Sequence, residues 1–126
     1  MLTVDKYSST PIYEQIVAGI ERDVLLGFLR EGDAVASVRE LSVTLGINPN
    51  TIQKAYIELE RRGVTVPLSG RGSFVREGAL ECIRARERER LTELGRCVRA
   101  LRSAGVSIDE IVSTVERAYS TEEGEL

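Results

Sequence analysis

A mainly α-helical chain with a small β-hairpin wing is predicted by three observations. Between Ser37 and Gly63 two short helical patterns flank a tight turn, the outline of a helix-turn-helix. Two β-prone runs follow, on either side of a Gly70-Arg71-Gly72 tip. Beyond Ala79 come two more helical stripes, too little to enclose a core of their own. Together they predict a winged helix-turn-helix over residues 1–78 and a two-helix dimerisation region with a short acidic tail over 79–126.

The first helix is a supporting one. Thr10 is a candidate N-cap, and Pro11 suits a first helical position, where no N–H is needed. Tyr13, Ile16, Ile20 and Val24 recur at spacings of three and four and form a core-facing stripe. Tyr13 reads as a core residue rather than a ligand contact. Met1 to Ser9 read as a loose arm or as a segment packed on a partner chain. Gly27-Phe28-Leu29 and Gly32 carry the chain on to the second helix.

Ser37 and Glu40 form an S-x-x-E capping box, so the second helix begins at Val38. Leu41 and Leu45 share one face, and Gly46 is placed to end the helix in a left-handed conformation. Ile47 is an apolar plug for the turn. Asn48 is the N-cap of the third helix, with Pro49 at its first position. Ile52, Ala55, Tyr56 and Leu59 face inward, and Gly63 stops the helix.

The outer face of the third helix carries Asn50, Thr51, Gln53 and Lys54 near its N-terminus. Asn and Gln amides match the adenine N6/N7 edge, and Thr suits bases or phosphates. A helix N-terminus also favours a phosphate oxygen through its free N–H groups. The plain alternative for each residue alone is a solvated surface position; the turn, helix and hairpin in succession favour the reading head.

The wing comprises Val64-Thr65-Val66 and Ser73-Phe74-Val75, with Pro67 to Gly72 as a turn-rich connector. Its glycines allow close approach to a sugar-phosphate backbone, and Arg71 is placed for the minor groove. As a nucleotide-phosphate loop the Gly70-Arg71-Gly72 tip fails, because no G-K-[ST] and no helix start follow it.

One charged, proline-free helical stretch is expected from Leu80 to Ala104, ended by Gly105. Leu91, Leu94, Val98 and Leu101 follow heptad-like spacing. Ser107 and Glu110 make a second capping box, ahead of a stripe of Ile108, Ile111, Val112, Val115 and Tyr119. These stripes must pack on each other, on the winged region or on a second copy. A homodimer is the favoured reading, because half-sites on DNA mirror a protein two-fold. Arg84, Arg86, Arg88 and Arg90 alternate with Glu81, Glu87, Glu89 and Glu93 as a solvated face with i,i+4 pairs; a second DNA-contacting patch is the alternative. Glu122 to Leu126 read as a frayed acidic tail.

Composition narrows the class. The 126 residues are 42% apolar with a formal net charge of −3, which suits a globular domain with a small appendage. From Val35 to Arg76, six basic residues (Arg39, Lys54, Arg61, Arg62, Arg71, Arg76) face three acidic ones (Glu40, Glu58, Glu60), a local excess of +3. That distribution matters more to a DNA partner than the overall sum. No apolar run approaches the roughly 20 residues of a membrane span and no signal-peptide pattern begins the chain, so a cytoplasmic protein is expected. Cys82 and Cys97, about 22 Å apart along a single helix, cannot bridge within the chain and read as reduced packing residues. With no His and no clustered carboxylates, the sequence points to no enzyme, no metal site and no cofactor. About fifty residues after the wing leave little material for an enclosed effector pocket.

Several segments taken together carry a more specific resemblance. Pro11-Ile12-Tyr13-Glu14-Gln15-Ile16, Gly32-Asp33, Ser37-Val38-Arg39-Glu40-Leu41, Asn48-Pro49-Asn50-Thr51, Leu59-Glu60 and Gly70 to Val75 resemble the DNA-binding domain of the GntR family of bacterial transcriptional regulators. The Asn-Pro-Asn-Thr turn and the short remainder are most similar to its YtrA-like subfamily. The resemblance implies that Arg39 contacts phosphate or base. It implies base and phosphate contacts from Asn48, Asn50, Thr51 and Gln53, and approach of Gly70 and Gly72 to the minor groove. Pro49 and Gln53 stand where many members carry Arg or Lys, which leaves Arg39 and Arg71 more of the electrostatic contact. Ala36 replaces the usual Pro before the Ser. The implied function is a dimeric repressor on two-fold symmetric double-stranded DNA, controlling its own operon, often one encoding an ABC transporter. The competing reading is a winged-helix adaptor for protein or RNA, which would be expected to show apolar anchors where Asn50, Thr51, Gln53 and Lys54 stand.

Overall fold

The computed structural model describes residues 2–121; the acidic tail expected at 122–126 lies outside the described residues. The chain divides into two compact units, Met1–Arg86 and Glu87–Leu126.

In the first unit α1 (Ile12–Leu25), α2 (Val38–Leu45) and α3 (Pro49–Arg61) surround one core, and β1 (Thr65–Leu68) pairs antiparallel with β2 (Gly72–Val75). Ile16, Val17, Ile20 and Val24 of α1 meet Leu41 of α2 and Ile52, Ala55, Tyr56 and Leu59 of α3, all buried. This is the helical periodicity read from the sequence, with Val17 added. Tyr13 departs from it and is only half-buried at the edge of the core. Ala79 and Ile83 of α4 (Ala79–Glu89) are fully buried in the same core, so the start of α4 belongs to this unit.

The start of α1 differs from the expectation. Pro11 is the N-cap rather than the first helical residue, and no side chain caps the helix. Gln15 instead ties the preceding segment to the helix. Its Nε2 donates to the Thr10 carbonyl at 2.8 Å and the Asp5 carbonyl at 2.9 Å, while its Oε1 accepts from the Asp5 N–H at 2.7 Å. The arm before α1 is therefore not loose. Leu2 and Val4 pack against the core, and a Cβ at Gly19 would overlap the Leu2 side chain.

The hairpin is longer than its β-prone runs suggest. Pro67 and Leu68 belong to β1 and Gly72 to β2, so the connector shrinks to residues 69–71, closed by Arg71 N–H to the Leu68 carbonyl at 2.9 Å. Pro67 is accommodated because β1 is the outer strand. The other edge of β2 is taken by residues 32–35: Gly32 N–H donates to Val75 O, Val75 N–H to Asp33 O, and Val35 N–H to Ser73 O, at 2.8–2.9 Å. Ala34 bridges Phe74. No local pattern in the sequence announces this third edge, because its partner lies about forty residues away.

The single helix expected from Leu80 to Ala104 is two helices, α4 and α5 (Leu91–Ser103), parted at Arg90. There the Arg90 N–H bonds the Glu87 carbonyl three residues back, at 3.1 Å. Glu and Arg are both good helix formers, so propensity does not mark the break. Both cysteines are exposed rather than packed. Gly105 (φ +87°) ends α5 in a left-handed turn, with Val106 N–H on the Leu101 carbonyl at 3.0 Å and Gly105 N–H on the Arg102 carbonyl at 3.0 Å. Ser107 caps α6 (Ile108–Ser120) by accepting from the Glu110 N–H at 3.2 Å. Neither α5 nor α6 contains a buried residue.

The expected solvated Arg/Glu face holds only in part. Arg90 pairs with Glu87 at 2.9 Å and Glu93 at 3.9 Å, each three residues away. Arg86 turns inward instead and meets Glu21 of α1 at 2.6 Å.

Candidate nucleic-acid interface

The orientation of α3 is set by bonds that begin before α2. Ser37 Oγ accepts from the Glu40 N–H at 3.0 Å, which starts α2 as the capping box predicts. Gly46 then takes φ +66°. Ser42 Oγ donates to the Ile47 carbonyl at 2.6 Å, and Ile47 N–H returns to the Ser42 carbonyl at 3.2 Å. These bonds lock the turn that aims α3. Asn48 caps α3, its Oδ1 accepting from the Asn50 N–H at 2.8 Å. Tyr56 ties the middle of α3 to the approach to α2 through its hydroxyl, which donates to the Ala36 carbonyl. Burial pushes the Tyr56 phenol up to about 12.

This scaffold leaves Asn48, Pro49, Asn50, Gln53 and Lys54 exposed and Thr51 half-exposed along one end of α3. Asn48 differs from the others, since its carbonyl oxygen is occupied by the cap and only its amide NH2 is left to donate. Arg39 is exposed in the first turn of α2. Gly70 (φ +72°) and Gly72 (φ +88°) flank exposed Arg71 at the wing tip, with nothing within 4 Å of either glycine's missing Cβ. That tip is conformationally demanding and sterically open.

The ion pairs refine the local charge. Glu58 is held by Arg61 at 2.5 Å and by Arg62 at 3.8 Å, and Arg62 also reaches Glu21 at 3.2 Å. The Arg61 hydrogen bond holds the Glu58 carboxyl below its usual range and raises the Arg61 guanidinium in turn. Two of the six bases read from the sequence are thus engaged with carboxylates. Arg39, Lys54, Arg71 and Arg76 carry the remaining charge.

Three contributors escaped the sequence reading. Lys54 Nζ lies 4.1 Å from the centroid of the Tyr13 ring. Lys6 Nζ reaches the Gly46 carbonyl at 3.4 Å, beside the turn. Ile57, one turn beyond Gln53, is 56% exposed on an otherwise polar face. The first two are contacts between residues about forty apart, without a local signal. Ile57 could have been found by continuing the outward helical face past Lys54.

Among the described residues there is no group of three potential metal ligands, and no helix is long and apolar enough to cross a membrane.

The fold and this face define a winged helix-turn-helix of the DNA-binding kind. The sequence pattern of the bacterial regulatory proteins of the gntR family matches residues 12–75, and the chain belongs to that family. Its relatives are transcriptional regulators rather than enzymes. The chain is 48% identical over 79 residues to the HTH-type transcriptional repressor YtrA of Bacillus subtilis, covering 63% of this chain and 61% of YtrA. It is 32% identical over 109 residues to the B. subtilis regulator YhcF, covering 86% of this chain and 90% of YhcF. A transcriptional antiterminator of Listeria monocytogenes superposes with a TM-score of 0.74 at 36% identity, over 96% of this chain and 90% of that one. The DNA-binding domain of AraR in complex with its operator ORR3 gives 0.51 at 26% identity, over 60% of this chain and 94% of that one.

Proposed function

We propose that this chain is a homodimeric, sequence-specific repressor of transcription that binds a two-fold symmetric operator. The observation that carries the reading is the exposed polar end of α3, which juts from a rigidly bonded turn. In this reading α3 enters the major groove. Asn50, Thr51 and Gln53 meet base edges or phosphates, and Asn48 donates through its amide. Arg39 and Lys54 take backbone phosphates, and Gly70, Arg71 and Gly72 lie along the backbone or minor groove. The sign of regulation follows the name of YtrA. Control of its own operon, with an ABC transporter among its genes, follows the subfamily resemblance. The protein acts in the cytoplasm, where its DNA is.

Residues 1–78 carry DNA recognition in this proposal and residues 79–126 carry assembly. Leu91, Leu94, Val98 and Leu101 of α5 and Ile108, Ile111, Val112 and Val115 of α6 form the dimer surface. Support comes from the second unit itself. Leu94, Val98, Leu101, Val106, Ile111 and Val115 line an apolar groove of about 330 Å³, yet no residue of α5 or α6 is buried. A contiguous exposed apolar face of this kind marks an interaction surface.

Selection of bound duplexes from a random DNA pool tests the reading. Enrichment of a palindromic motif is expected, with the logarithm of affinity falling linearly in the logarithm of salt at about −0.9 per phosphate contact. A pool that yields no two-fold motif, or binding indifferent to salt, would sink it. Preference for single-stranded RNA over duplex DNA in the same titration would favour the RNA reading instead.

A further inference from the structure

We propose that Tyr13 is a positioning residue for DNA binding: its ring holds the Lys54 ammonium ready for a backbone phosphate without cancelling its charge. The proposal rests on the DNA-binding reading above and deepens it. Lys54 belongs to α3 and Tyr13 to α1, so the 4.1 Å contact links the reading helix to the supporting helix. The carboxylate within helical reach of a lysine lies three or four residues away. Here that residue is Glu58, and its carboxylate is held by Arg61 and Arg62 at 2.5 and 3.8 Å. Lys54 turns to the aromatic face instead. The Tyr13 hydroxyl donates to Glu14 Oε1 at 3.2 Å, which steadies the ring.

The difference between the two kinds of partner is physical. A carboxylate neutralises a lysine, and a phosphate must then compete with it. An aromatic ring attracts the ammonium through its quadrupole and carries no net charge. The lysine is thereby restrained, which lowers the entropy lost on binding, while its full charge stays available. Tyr13 so placed does for Lys54 what an ion pair could not.

The test is a double-variant cycle on the full chain, using anisotropy of a fluorescein-labelled mixed-sequence duplex at several potassium chloride concentrations. Tyr13→Leu should weaken binding by about two- to ten-fold, the equilibrium equivalent of the entropy lost when one long side chain is immobilised at an interface. Tyr13→Phe, which keeps the ring, should bind as the wild type does. Lys54→Met should lower the salt slope by about 0.9 for each phosphate it contacts. In the Lys54→Met background Tyr13→Leu should have no further effect. A loss of packing at residue 13 would appear equally in both backgrounds, so an equal effect of Tyr13→Leu with and without Lys54 overturns the proposal. Wild-type affinity of Tyr13→Leu does so as well. A wild-type chain without salt-dependent binding would remove the DNA-binding reading first, and this proposal with it.

Discussion

Glu21 on α1 and Arg86 on α4 form an ion pair at 2.6 Å, with the Glu21 side chain only 9% exposed. The same carboxylate accepts from Arg62, the C-cap of α3, at 3.2 Å. One buried acid therefore ties together α1, the end of the reading helix and the first turns of α4. Its two partners keep roughly a third of their surface in water, at 30% and 32%. Glu21→Gln leaves two guanidinium groups facing a neutral amide and should lower stability by about 1–3 kcal/mol, below the range for a fully buried pair because of that exposure. The urea midpoint reads this directly, and an unchanged midpoint would show that the carboxylate does not hold the three elements.

Tyr56 makes stability sensitive to alkali. Its folded phenol is raised to about 12 from an ordinary 10. The folded state thus keeps the proton in a range where the unfolded chain gives it up. The contribution is complete below pH 10 and is lost as pH rises toward 12. Tyr56→Phe removes this slope. At neutral pH it should also cost about 1 kcal/mol, because the Ala36 carbonyl loses its donor. Denaturation series of both proteins across that pH range would expose a difference or its absence.

Assembly should be separable from folding. Leu94→Asp and Val98→Asp place a carboxylate on the apolar groove of the second unit. Each should yield monomers by sedimentation equilibrium at micromolar concentration and abolish operator binding, while the first unit keeps its thermal transition. A dimer that survives both changes would move the interface elsewhere.

The wing tip is a matter of backbone conformation. Gly70→Ala and Gly72→Ala meet no neighbouring atom, so their cost is confined to positive φ, about 1 kcal/mol each. Hydrogen exchange at the Arg71 amide, which bonds the Leu68 carbonyl, should accelerate in both variants. If exchange there is unchanged, the turn does not depend on these glycines.

Much of this protein is legible where its signals are local. The Ser37, Asn48 and Ser107 caps, the left-handed Gly46 and the inward stripe of α3 follow from spacings of three and four residues, and each appears as read. The exposed polar end of α3 is legible for the same reason, being the complement of that stripe. Contacts between distant residues leave no such trace. Gln15 ties the N-terminal arm to α1, residues 32–35 close the inner edge of β2, and Lys54 lies over Tyr13. The break at Arg90 is silent too, because its residues favour helix on both sides.

The sequence by itself determined the kind of protein this is: helix starts and stops, the inward faces, the glycine tip and the polar end of α3 are properties of short windows, set by backbone sterics and side-chain period. Only the tertiary structure decided which charges are available. Arg62 reads as part of the local basic excess and Arg86 as part of a solvated Arg/Glu face, yet packing brings Glu21 of α1 within 4 Å of both. Lys54 is set against a neutral ring instead. The physical reason is that Coulomb and quadrupole interactions depend on distance in space, and distance in space between helices is fixed by the core they share.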